Sequence, residues 1–208
     1  RIWWDFYSNT PSWDQADYLN SALDHARSLS FLGSDGFEDL SSFLDKSPKI
    51  PPLASIVNGA VIAFAGDAPH KAAWSLSIWN GFLIFNIASW GLYLRGKQFA
   101  LFSVLISAFS PFLFHLRTDY VLELPLISAI AFYLFHLGRW SDKSIGGKWI
   151  QSIIASLACA FSLLIKQSSL LVILPSLLFI FILSFKRDEK FTLQFLCLFF
   201  INILAILP

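Results

Sequence analysis

Apolar and polar positions follow two regimes along this chain. Through residue 52 they alternate at helical intervals, and beyond it they gather into long apolar runs. In the first regime Ser12-Trp13-Asp14-Gln15 fits a capping box, and Ala16, Leu19, Leu23 and Ala26 then recur at three- and four-residue spacing. That pattern predicts a short amphipathic helix starting at Ser12. A second is predicted after Ser34-Asp35, with Phe37, Leu40 and Leu44 on one side and Glu38, Asp39 and Asp45 among the polar positions. Both suit a membrane surface, apolar face down. The run from Leu53 to Ala65 is about 13 residues long, a length more common in interfacial or re-entrant segments than in spans. It is read as a juxtamembrane helix.

Six longer runs follow, at about 72–94, 98–116, 121–138, 149–165, 167–185 and 191–208. Each is close to the roughly 17–25 residues that cross a bilayer. The expected fold is therefore all-α: a polytopic membrane protein with about six transmembrane helices in residues 72–208. Residues 1–71 form an extracytoplasmic loop carrying the amphipathic and juxtamembrane helices.

Composition agrees with lipid as the main solvent. Hydrophobic residues make up 56% and charged residues 14%, against roughly 25% charged in a soluble domain. The net charge is +1 with scattered basic residues, so a nucleic-acid partner is excluded for want of a clustered basic footprint. Cys159 and Cys197 lie in apolar runs and are read as small buried hydrophobes rather than a staple or metal ligands. Beginning at Arg1 without any methionine and stopping at Pro208 inside an apolar run, the chain reads as a piece of a longer protein.

The loops indicate an orientation, because Lys and Arg prefer the cytoplasmic side. Alternate loops hold Arg95 and Lys97, then Arg139, Lys143 and Lys148, then Lys186, Arg187 and Lys190. The intervening loops hold Lys71, Arg117 and Lys166. The eight-to-three split puts the first set in the cytoplasm and residues 1–71, Arg117 and Lys166 outside. On that outer face three distant places converge: the acidic helix at Asp14, the segment from His115 to Glu123, and Lys166-Gln167.

A charged group at the end of a span or within one is costly and marks a candidate site. Lys166 joins two apolar runs through a short turn, and Glu123 lies a few residues inside a span; the bland alternatives are snorkelling for Lys166 and pairing with Arg117 for Glu123. Asp14 falls in the first turn after the Ser12 cap, where the helix dipole favours a carboxylate, and an ionised acid is what a general base requires. Eight of the fourteen carboxylates lie in residues 1–52, so the bland alternative for Asp14 is one solvated acid among many. His25, His70, His115 and His136 show no metal-ligand spacing and are read as structural or interfacial.

Four segments carry a family resemblance. Trp13-Asp14-Gln15-Ala16-Asp17-Tyr18-Leu19 resembles the acidic motif in the first extracytoplasmic loop of GT-C glycosyltransferases, especially the protein O-mannosyltransferase and aminoarabinose-transferase group. Lys49-Ile50-Pro51-Pro52-Leu53 is similar to that group's Lys-Pro-Pro-Leu segment, and Tyr120-Val121-Leu122-Glu123-Leu124-Pro125 to its Val-Leu-Asp-x-Pro segment. Leu164-Ile165-Lys166-Gln167 is similar to its Lys-containing turn. The order matches the family's. Gln15 stands where an Asp-Glu pair is common, Ile50 separates Lys49 from the prolines, and Glu123 replaces the usual Asp.

The resemblance implies transfer of a sugar, with inversion, from a polyprenyl-phosphate donor to a lipid, glycan or protein acceptor. It implies a multi-pass protein of a bacterial inner membrane with the site facing the periplasm or exterior. Asp14 is then the base, with Lys166, Arg117 and Lys49 as cations for the donor phosphate and Asp17 and Glu123 in support. The resemblance assigns no cofactor and leaves a divalent metal open. The partners are the lipid-linked donor, its acceptor and membrane lipid. The rival readings are a transporter or lipid flippase, with polar residues in spans forming a path, and a structural membrane subunit. Transporters often show inverted repeats and broken helices at the midplane; no internal repeat is evident, and the polar residues gather at one end of the spans.

Overall fold

The computed structural model describes residues 13–29, 40–47, 51–66, 69–142 and 148–184. Their regular structure is entirely helical. It comprises α1 (Trp13–Leu29), α2 (Leu40–Leu44), α3 (Leu53–Ala65), α4 (Pro69–Arg95), α5 (Lys97–Phe109), α6 (Pro111–Thr118), α7 (Glu123–Ser141), α8 (Lys148–Leu163), a 3-10 turn (Gln167–Ser169) and α9 (Leu170–Ser184). The expected capping residue Ser12, the first part of the predicted second helix (34–39), Lys49 and the run at 191–208 lie outside the described residues.

By packing, the chain divides into two compact units, residues 1–128 and 129–208. In the first, α1 packs on α3, α4 packs on α3 and α5, and α6 packs on α5 and α4. Gly96, at φ 79°, is the single residue between α4 and α5, a left-handed conformation that glycine adopts without penalty. Beside that turn a Cβ on Gly91 would lie 2.6 Å from the Ala100 Cα, so the hairpin's helices touch backbone to backbone. In the second unit Tyr133, Leu137 and Trp140 of α7 form a buried core with Ala158, Cys159 and Leu163 of α8 and Ile173, Leu177 and Ile180 of α9. The Tyr133 hydroxyl donates to Ser176 Oγ at 2.8 Å, since Ser176 Oγ itself donates to the Ile173 carbonyl.

No single described helix is long and apolar enough to cross a membrane. The 27-residue α4 has the length, but Ser75, Ser77, Asn80 and Asn86 interrupt its apolar character. The run expected as one span at 98–116 is two helices bent by 64°, which reach the required length and apolarity only together. Ser110-Pro111 causes the bend. Proline lacks the N–H needed to continue α5 and pushes the preceding residue out of the helical region, and Ser110 is extended at φ −65°, ψ 119°. Ser110 Oγ then caps α6 by accepting from the Leu113 N–H at 3.5 Å.

Along α8, Ser152, Ala155, Ser156, Ala158, Cys159 and Ser162 are buried, while Trp149, Ile150, Ile153 and Leu157 are exposed, the reverse of a water-soluble helix. On α4 both polar and apolar side chains are buried, Ser75 and Asn86 together with Leu76, Trp79 and Leu83, while Trp74, Ile78 and Phe85 are exposed.

Candidate functional site

Asp14 sits in the first turn of α1 with its side chain exposed, and Asp17 follows one turn later, half-buried. What fixes α1 is a close approach to α3. A Cβ on Gly59 would lie 2.7 Å from the His25 Cβ and 2.8 Å from the Ala22 carbonyl oxygen, so no larger residue fits between the helices without movement. The sequence predicts an apolar face of Ala16, Leu19, Leu23 and Ala26 laid on a membrane surface, whereas α1 packs on α3. The packing face is Ala22, His25 and Ala26, with Leu19 and Leu23 half-buried at its flank. Contact at Gly59 selects small side chains for the centre and turns the leucines aside.

His25 is completely buried in this contact. Its Nδ1 lies 2.7 Å from the Ser21 carbonyl, which fixes the tautomer with the proton on Nδ1, and its ring meets Phe43 edge-on at 4.8 Å. Nε2 is enclosed beside the Phe43 backbone without a well-formed hydrogen bond. Burial holds the imidazole below its usual pKa, with Lys46 acting in the same sense, so the ring is neutral at pH 7.

A buried polar cluster ties α3 to α4 and to the segment after α6. The indole Nε1 of Trp79 donates to Asn58 Oδ1 at 2.7 Å, both side chains being buried. Ser75 Oγ donates to the Ala72 carbonyl at 2.6 Å. Ser128 Oγ lies 2.9 Å from the Trp79 carbonyl and 2.7 Å from that of Leu124, sharing one proton between them. The Tyr120 hydroxyl is enclosed beside Ser75 and Asn58 without a well-formed hydrogen bond, and burial pushes the phenol up to about 12. This cluster was not singled out from sequence. Its one visible signal is Asn58-Gly59 in an otherwise apolar run.

Arg117 is used structurally. Its Nη1 donates to the Ala108 carbonyl and its Nη2 to that of Ser107, both at 3.1 Å, so the guanidinium caps the C-terminal end of α5 across the bend. Nearby, His115 Nε2 lies 3.1 Å from Asp119 Oδ2 on the exposed side of α6. Glu123 opens α7 and is half-buried. Lys166 is extended at φ −158°, ψ 130°, immediately before the 3-10 turn that leads into α9. Its N–H donates to the Ser162 carbonyl at 3.3 Å and its carbonyl accepts from the Ser169 N–H at 3.0 Å, so the backbone of the turn is held at both ends.

Of the sequence-predicted residues, Asp14, Asp17, Arg117 and Glu123 belong to the first unit and Lys166 to the second. Within the first, Asp14 and Arg117 stand on separate branches, α1 packing on α3 and α6 on α5 and α4. Lys49 lies outside the described residues. Among the described residues no group of three or more His, Cys, Asp or Glu side chains is placed to hold a metal ion. Comparison with protein-family models, curated proteins and solved structures finds no match to this chain.

Proposed function

We propose that this chain is part of a polytopic membrane glycosyltransferase of the GT-C type, taking a sugar from a polyprenyl-phosphate donor at the extracytoplasmic face. The observation that carries the reading is Asp14: an exposed carboxylate in the first turn of a docked helix, inside the segment that resembles the family's acidic motif. The membrane setting is supported by α8, where Ser152, Ala155, Ser156, Ala158 and Ser162 lie inside while Trp149, Ile150, Ile153 and Leu157 face out, the preference of helices that pack in lipid. On this reading the bent pair α5 and α6 takes the place of one straight span, since no single described helix is long and apolar enough to cross.

The chemistry is a single displacement. An acceptor hydroxyl attacks the anomeric carbon, the bond from that carbon to the phosphate oxygen breaks, and the hydroxyl proton passes to the Asp14 carboxylate. Phosphate leaves as an anion, so a cation rather than an acid is needed on that side. Through the resemblance of its turn to the family's Lys-containing turn, Lys166 is assigned that role. Arg117 has two of its five N–H donors committed to α5 carbonyls, so its part is to shape the outer segment before Tyr120, with Glu123 and Asp17 in support. Turnover of polyprenyl-phosphate sugars by the purified full-length protein tests the reading, and failure with every sugar and acceptor class refutes it.

A further inference from the structure

The bend between α5 and α6 leaves an apolar surface that a straight span would not create. At roughly 1.5 Å per residue α5 is about 20 Å long, short of the roughly 30 Å hydrocarbon core. Because α6 turns away by 64°, its about 12 Å of helix adds only about 5 Å along the axis of α5. Phe109, Phe112 and Phe114 are 81%, 61% and 55% exposed around this elbow, continuous with exposed Phe102 and Ile106 on α5. Leu116 and the guanidinium of Arg117 turn the other way, the first buried and the second bonded to the α5 carbonyls. A helix facing water keeps its rings inward; α6 turns Phe112 and Phe114 outward and its Arg117 guanidinium inward. The His115–Asp119 pair supplies a polar edge at its far end.

We infer that the Phe109, Phe112 and Phe114 face lies against lipid acyl chains in the outer leaflet, with α6 running more along the leaflet than through it. The inference rests on the membrane setting proposed above. It makes Arg117 the pin of the elbow, and the occupant of the aromatic face a phospholipid bilayer.

The test uses the full-length protein with Cys159 and Cys197 replaced by Ser and single cysteines at Phe102, Phe109, Phe112, Phe114 or Leu116, each carrying a small fluorophore. The proteins are reconstituted in phosphatidylcholine vesicles containing nitroxide lipids labelled at shallow or deep acyl positions. The expected result is loss of fluorescence at Phe112 and Phe114 at least as large as at Phe102, with little loss at buried Leu116. Phe109 and Phe114 should report nearly the same depth. Quenching at Phe102 without quenching at Phe112 and Phe114 overturns the inference while leaving the membrane setting intact. A Phe114 label shallower than Phe109 by the about 8 Å of a straight helix also overturns it. Absence of quenching at all five positions removes the membrane setting itself.

Discussion

Replacing Gly59 by alanine should loosen the helix that carries Asp14, whereas the same change at Gly81 should tighten its own helix. Both glycines are helical, in α3 and α4, so each substitution gains about 0.5–1 kcal/mol from reduced backbone freedom in the unfolded chain and better helix propensity. At Gly81 nothing lies within 4 Å of the new methyl, and the gain stands alone. At Gly59 the methyl would meet His25 Cβ at 2.7 Å, the Ala22 carbonyl oxygen at 2.8 Å and the Ala26 nitrogen at 3.0 Å. Two of these are backbone atoms and the third is the root of a side chain, so α1 and α3 must separate. Overpacking of this kind costs about 1–3 kcal/mol. Gly59→Ala should therefore be destabilising by roughly 0–2.5 kcal/mol and should differ from Gly81→Ala by the steric cost alone, about 1–3 kcal/mol. Denaturant unfolding of both variants in mild detergent measures that difference, and hydrogen exchange over residues 13–29 locates it. Equal stabilisation by the two substitutions, with unchanged protection of α1, would refute the close approach of α1 to α3.

Further outcomes follow from the same contacts. His25 is neutral when folded, with a pKa below the unfolded value of about 6.5, so the unfolded chain takes up its proton first as the pH falls. Stability should be flat above about pH 7 and decline below about 6.5, by at most about 1.4 kcal/mol per pH unit; the decline should be weaker in His25→Gln, as followed by thermal melting across pH. Asn58→Leu strands the buried Trp79 indole N–H and should cost about 1–3 kcal/mol, part of which Trp79→Phe in the same chain should restore in a double-mutant cycle. For Lys166, donor affinity and turnover on equal amounts of folded protein should fall in the order Lys, Arg, Ala, because a planar guanidinium does not replace a compact ammonium at a phosphate. Arg acting as well as Lys, with Ala affecting only expression, would mark Lys166 as an interfacial anchor.

Helix content was legible where the pattern is local. Leu53–Ala65 coincides with the helix expected there, and α4 and α8 match the apolar runs at 72–94 and 149–165 to within three residues at either end. The elbow at Ser110 was passed over because an average over 98–116 is apolar throughout, although Ser-Pro carries the signal for a break. The face of α1 that packs on α3 differs from the predicted apolar face because periodicity weights large side chains, whereas Gly59 opposite favours alanine. Asn58 and Trp79 are 21 residues apart and become partners only through packing of α3 on α4, which no sequence spacing records. Arg117 shows the same limit: its charge and position suggested a ligand contact, while its structural use depends on a bend that brings Ser107 and Ala108 within reach.

Sugar transfer by the full-length protein, compared with its Asp14→Asn variant, bears most directly on the proposed function. Asparagine keeps the size of the side chain but cannot accept the acceptor's proton. Because Asp14 is exposed and lies apart from the Ala22, His25 and Ala26 contact with Gly59, the variant should fold and bind the lipid-linked donor as the parent does. Turnover of a polyprenyl-phosphate sugar should fall by about 10²–10⁴-fold, the usual contribution of a general base. Turnover by Asp14→Asn equal to that of the parent would contradict the assignment.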